Sequence, residues 1–257
     1  MSIEQTVYCR VIGQGENLVL LHGWGVNSAV WEPVIEQLSQ HFRLYLIDLP
    51  GFGKSKGLSE YTLQTIVDAI VAVLPERAAW CGWSLGGLVA TYASYIYPDK
   101  VSKLIQVCSS VKFVAETSWP GVESSVFDNF KQAVQTDRDK TLGRFIGIQA
   151  MGCASGRKDA STLKKLLAGT EQAESKALLA GLELLNKSDL REKFSQLAVP
   201  CLSLFGQFDS LIPLQTGQEM GCLLAKSQQK TFKNSAHAPF ISEVDAFNAS
   251  VINFMID

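Results

Sequence analysis

Along roughly the first 110 residues, short unbroken apolar runs alternate with longer stretches whose apolar positions recur at helical spacing. The runs 6–11, 17–21, 43–48, 78–83 and 103–108 predict strands. The stretches 29–40, 63–74 and 85–97 predict helices, the first with Trp31, Val34, Ile35 and Leu38 on one face. Strands that are apolar throughout, rather than at alternate positions, are buried on both faces, and helices between them supply the cover. The pattern therefore predicts an α/β protein with a mostly parallel sheet and helices on both faces. Ligands on such sheets bind beyond the carboxyl ends of the strands. His22, Asp48, Ser84 and Ser109 all fall at such ends.

The texture changes at residue 112. Up to about residue 188 no strand-like run occurs, and helical patterns cover 126–136, 142–151, 163–167 and 177–185. Strand patterns return at 199–206 and 229–232, and a helix at 244–255 follows them. This predicts one α/β core made of 1–111 and 189–257, interrupted by a helical cap at 112–188 over the strand ends. No internal repeat or low-complexity segment is present.

Composition narrows the function classes. With 257 residues the chain is long enough to bury a substantial core. A formal net charge of -2 disfavours nucleic acid as partner, because phosphate binding requires a basic excess. No apolar stretch approaches the roughly 20 residues that span a bilayer, and the opening Met-Ser-Ile-Glu-Gln-Thr has neither the basic nor the apolar region of a secretory signal. The six cysteines, at 9, 81, 108, 153, 201 and 222, form no Cys-x-x-Cys pair and mostly sit inside apolar runs. They read as small buried hydrophobes in a reducing compartment, with no zinc site and a cytoplasmic location.

The chemistry concentrates at Gly82-Trp83-Ser84-Leu85-Gly86, a G-x-S-x-G pattern between a predicted strand and a predicted helix. The glycines permit a sharp turn that pushes Ser84 out at the head of the helix, where the N–H of Leu85 is free to donate to an oxyanion. Leu21-His22-Gly23-Trp24-Gly25 follows a buried strand and suits a loop that supplies a second donor, the N–H of Trp24. By contrast, 48–53 holds two glycines but lacks phosphate-loop spacing. A serine nucleophile needs a base, and the base needs an orienting group. Of three histidines, His41 lies in a polar turn and His22 precedes the oxyanion loop, whereas His237 follows the last strand, where the base falls in the chain order Ser, Asp, His. Asp209, after the strand at 201–206, occupies the orienter's place; Asp48 is out of that order and Asp189 comes too early. Ser84, His237 and Asp209 are the predicted triad.

These motifs resemble the α/β-hydrolase fold family, and more particularly its biotin-synthesis carboxylesterases acting on pimeloyl-acyl-carrier-protein methyl esters. The resemblance runs nearly the full chain, through residues 20–25, 48–53, 82–90, Trp119-Pro120-Gly121, Gln149, Met151-Gly152 and 236–242. It implies hydrolysis of a pimeloyl methyl ester tethered to acyl carrier protein, with no cofactor and no metal, by a monomer. It also implies a substrate site made by Trp24, Ser84, Leu85, His237 and Phe145, Ile146, Gly147, Ile148 and Gln149. Independently, the stretch 131–165 carries eight basic and three acidic residues, +5 against -7 for the remainder, and a basic lid attracts an acidic partner. Lys131, Arg138, Lys140, Arg144, Arg157 and Lys158 are the expected docking residues. Where the resemblance implies arginine at 140 and 161, this chain has Lys140 and Ser161; lysine lacks the bidentate fork. A general short-chain esterase or carbon–carbon bond hydrolase on the same triad is the alternative, and a non-catalytic binding protein of the same fold a remoter one.

Overall fold

The computed structural model of the chain describes residues 6–256. Of the opening six residues on which the export-signal expectation rests, all but Thr6 lie outside the described residues. Seven strands, β1 (Cys9–Ile12), β2 (Glu16–Leu21), β3 (Phe42–Ile47), β4 (Ala78–Trp83), β5 (Val101–Val107), β6 (Cys201–Gly206) and β7 (Gln228–Phe232), form one sheet in the order β1-β3-β2-β4-β5-β6-β7. Every pairing is parallel except that of β1 with β3. β4 and β6 are buried at every position, as their unbroken apolar runs require.

The helices of the core are α1 (Glu32–Leu38), α2 (Leu63–Val71) and α3 (Leu85–Ile96). Four more lie between β5 and β6: α4 (Ser124–Thr136), α5 (Arg138–Gln149), α6 (Gly156–Leu167) and α7 (Ser175–Lys187). After them come α8 (Arg191–Ser195), α9 (Leu214–Leu223), α10 (Pro239–Ser242) and α11 (Val244–Ile256). Two apolar clusters flank the sheet. One joins α2 and α3 to the helices after β5, through residues such as Leu63, Leu88, Phe127 and Leu182; the other centres on Trp31, Trp83, Phe240 and Phe247.

The segment between β5 and β6 leaves and rejoins the sheet through a narrow neck. Lys112 and Asp189 form an isolated antiparallel bridge, Leu190 N–H donates to Val111 C=O at 2.8 Å, and Lys112 Nζ pairs with Asp189 at 3.3 Å. Trp119 locks this neck: its indole N–H donates to Lys112 C=O at 2.8 Å while the Arg191 guanidinium lies 5.4 Å from the ring centre.

The first two strands do not pair with each other. β1 and β2 both pair with β3, which lies between them. Gly13 and Gly15 carry the crossing at φ +81° and +106°, with carbonyl oxygens of residues 39, 41 and 42 where side chains would stand.

Candidate active site

The apolar run of β4 breaks at Ser84, whose φ of 53° and ψ of -115° lie where residues with a side chain are rarely found. Tight packing keeps it there. A Cβ on Gly82 would stand 2.2 Å from Gly86 C=O, one on Gly86 2.6 Å from the carbonyls of Leu21 and His22, and one on Gly87 2.5 Å from the Ser109 side chain. Ser109 Oγ also donates to Ser84 C=O at 2.7 Å and ties the turn to the end of β5. As first residue of α3, Leu85 has an N–H with no acceptor inside the helix.

The loop after β2 approaches the same turn: a Cβ on Gly23 would lie 3.3 Å from Ser84 Cβ. His22 is fully buried and sets the direction of this loop. Leu49 N–H donates to its Nε2 at 2.9 Å, which requires the proton on Nδ1, and Nδ1 donates to Gly23 C=O at 2.7 Å. In a planar trans peptide C=O and N–H point opposite ways, so holding Gly23 oxygen fixes where the Trp24 N–H aims. Burial holds the His22 pKa below its ordinary value, against the opposing pull of Asp48. Asp48 itself is structural: its carboxylate accepts from the N–H groups of Ser28 and Lys54 at 2.8 and 2.9 Å.

From the far end of the sheet come Asp209, after β6, and His237, after β7. Asp209 Oδ1 accepts from the backbone N–H of Leu211 and Ile212 at 2.9 and 3.0 Å, and Oδ2 faces His237 Nδ1 at 2.7 Å. Both are buried. With Nδ1–H donated to the carboxylate, Nε2 keeps its lone pair, and it has no hydrogen-bond partner among the described residues. Two contacts hold the His237 backbone from outside β7: Trp83, one residue before the serine, donates its indole N–H to His237 C=O at 2.7 Å, and His237 N–H donates to Gln149 C=O at 3.0 Å. Cys108, buried at φ 43°, adds its sulfur to the same cluster, within 4.8 Å of the Asp209 and His237 ligand atoms. Burial and the Asp209 charge push this thiol well above its usual pKa, so it stands there as neutral S–H.

Trp24, Ser84, Phe127, Phe130, Phe145, Leu182 and neighbouring apolar side chains enclose a narrow cavity of about 40 Å³ above the serine. A wider space of about 270 Å³, between α4 and α5, has Val126 and Phe130 in its wall as well, with Arg144 and Ile148.

The comparisons with known proteins agree with this fold. The family model described as "alpha/beta hydrolase fold" matches residues 16–244. A protein of Vibrio vulnificus (strain CMCP6) named pimeloyl-[acyl-carrier protein] methyl ester esterase is 43% identical over 94% of this chain and 95% of its own length. The chain belongs to that family of α/β-hydrolases. A relative of the same name from Pectobacterium carotovorum is 41% identical over 97% of this chain and 98% of its own. Among solved structures, an esterase from Exiguobacterium antarcticum superposes with a TM-score of 0.88 at 24% identity, covering 98% of this chain and 96% of the other. At that identity the likeness speaks for the fold alone.

In this hydrolase the segment 145–149 divides by helical phase. Phe145 faces the cavity above Ser84, meeting Trp24 edge-on at 4.9 Å; Ile146 joins the cluster around Trp31; Ile148 lines the outer space; and Gln149 is buried with its carbonyl on His237. Gly147 has nothing within 4 Å of where a Cβ would stand. Of the basic residues, Lys131 is committed to Glu183 and Asp128, and Arg138 to Asp139 and Gln172. Lys140, Arg144, Arg157 and Lys158 are exposed.

Proposed function

We propose that this chain hydrolyses the methyl ester of a pimeloyl chain carried on acyl carrier protein, by acyl transfer through Ser84, His237 and Asp209. The observation that carries the chemistry is the Asp209–His237 contact at 2.7 Å, which leaves Nε2 without a hydrogen-bond partner, on a ring whose centre lies 5.6 Å from that of Trp83, the residue before the strained serine. The substrate follows from family membership over nearly the whole chain.

In this reading Ser84 Oγ attacks the ester carbonyl while His237 Nε2 takes its proton. Asp209 holds the ring in the one tautomer that leaves Nε2 free and stabilises the imidazolium that forms. The N–H groups of Trp24 and Leu85 receive the oxyanion. The carbon–oxygen bond to methoxide breaks, the imidazolium returns the proton, and methanol leaves. Water then attacks the acyl-serine and gives one proton to Nε2, the serine oxygen recovers that proton as its bond to the acyl carbon breaks, and the acid departs, losing its remaining proton to solvent to become the carboxylate. All charges that develop are met by side chains and backbone of the protein.

We assign 112–188 as the cap, its helices α4, α5 and α7 roofing the inner cavity, and the space beside Arg144 as the way out for the tethered end of the chain. Lys140, Arg144, Arg157 and Lys158 are available to an acidic carrier; Lys131 and Arg138 are engaged within the fold. Six unpaired cysteines suit a reducing cytoplasm, and none of the described helices is long and apolar enough to cross a membrane.

The direct test is turnover of the carrier-bound methyl ester by Ser84→Ala and His237→Ala. Each should lose about 10⁴- to 10⁶-fold in kcat. Near-native turnover by either variant would remove the triad from the mechanism.

A further inference from the structure

Asp159 is a carboxylate on the cap, in the first turn of α6, and it is only 4% exposed. Its Oδ2 accepts from Ser155 Oγ at 2.6 Å and from Ser242 Oγ at 2.8 Å, with the Cys153 thiol at 3.6 Å. Burying a charge among neutral donors is costly, and α6 offsets part of it by presenting its positive end. The arrangement matters because of where Ser242 sits. It closes α10, the single turn directly after the His237 loop, and its one hydroxyl proton, aimed at Asp159, has Ala238 C=O as a longer second acceptor at 3.3 Å. The next residue, Glu243, accepts from Asn234 N–H and Ser235 Oγ at 3.0 and 2.6 Å, closing the same loop from its other side.

The loop that carries His237 is thus held by the cap at two points. One is the Gln149 carbonyl at the end of α5, on the His237 N–H at 3.0 Å; the other is Asp159 on α6, on Ser242. Leu163, one turn after Asp159, is fully buried with Phe240 in the cluster under α10, so the second point is also packed.

We infer that Asp159 is a positioning residue for the reaction: through Ser242 it clamps α6 onto the His237 loop, so that seating of the cap sets the placement of the base. This rests on the triad reading above. The consequence is that a cap displaced to admit a tethered chain draws on the same bonds that hold His237, and catalysis is fast only when the cap has returned.

The test uses the full chain and p-nitrophenyl butyrate, a small free ester that needs no carrier. Asp159→Asn and Ser242→Ala should each lower kcat roughly 10- to 100-fold, the range expected when a reacting group is displaced by about an ångström, while KM stays within about twofold. Ser242→Thr, which keeps the hydroxyl, should restore kcat. The double variant should be no slower than the worse single one, because Asp159→Asn weakens and Ser242→Ala removes the same bond. Ser242→Ala, at a half-buried position, keeps the test open if Asp159→Asn does not fold. Unchanged kcat in folded Ser242→Ala, or a Ser242→Thr variant as slow as Ser242→Ala, overturns the inference. His237→Ala run alongside separates the two levels: if that variant stays active the triad itself fails, whereas an inactive His237→Ala with normal clamp variants removes only the role of Asp159.

Discussion

At the scale of single residues, His22 shows how burial turns an ionisable group into a fixed hinge. Its ring must be neutral to accept from Leu49 and donate to Gly23 at once, and burial lowers its pKa from the ordinary 6.5. The unfolded chain therefore binds a proton that the folded chain refuses, so stability should fall as pH drops below about 6.5, by up to ~1.4 kcal/mol per pH unit, until the depressed folded pKa is reached. Urea unfolding from pH 7.5 to 5.0 measures this, and in His22→Asn the His22 part of the slope should vanish while oxyanion support weakens. An unchanged slope would mean that His22 is protonated in the folded state. The Asp209–His237 pair and the strained turn at Ser84 were legible in the sequence because chain order and glycine spacing encode them. His22 as orienter of the Gly23–Trp24 peptide, the Gln149 carbonyl and the Asp159–Ser242 bond were not, since each joins side chain to backbone or residues far apart and leaves no local pattern.

At the scale of elements, strands that are apolar at every position were readable to within a residue or two, as β4 and β6 illustrate. The failures have separate causes. The partners of the first two strands were not legible: β1 and β2 are consecutive yet each pairs with β3, and nothing in the apolar runs themselves specifies a partner. Helix α9 escaped notice because Gly217 and Gly221 weaken its pattern; Gly217 is needed there, since a Cβ would press on the Phe205 ring at 2.8 Å. Helix α5 has glycines of the opposite kind. Gly143 and Gly147 have nothing within 4 Å of where a Cβ would stand, and both lie inside the helix, so they cost helix stability with no packing reason. Gly143→Ala should stabilise the protein by about 0.5–1 kcal/mol, a rise of about 2 °C in Tm, readable by calorimetry. A fall in Tm would show that α5 needs backbone freedom at that point.

At the scale of the molecule, the charge is divided: the stretch 131–165 carries +5 on a chain of net -2. The structure sharpens this division. Asp159 is buried in the clamp, which leaves Asp137 and Asp139 as the acidic side chains of that stretch at the surface, and Arg138 is paired with Asp139. Lys140, Arg144, Arg157 and Lys158 are exposed cations, and Arg144 also lines the space that opens between α4 and α5. A field of this kind speeds encounter with an acidic partner and is screened over about 8–10 Å at 0.10–0.15 M salt. For the carrier-bound methyl ester, kcat/KM should therefore drop steeply between 0.05 and 0.5 M salt, by roughly tenfold or more, while a free methyl ester is hydrolysed at a nearly constant rate. Arg144→Glu with Arg157→Glu should flatten that salt dependence and slow only the tethered substrate, because neither side chain belongs to the proposed triad. Equal salt responses of the two substrates would place recognition in the acyl chain alone, and with it the alternative of a general esterase that happens to bear a basic cap.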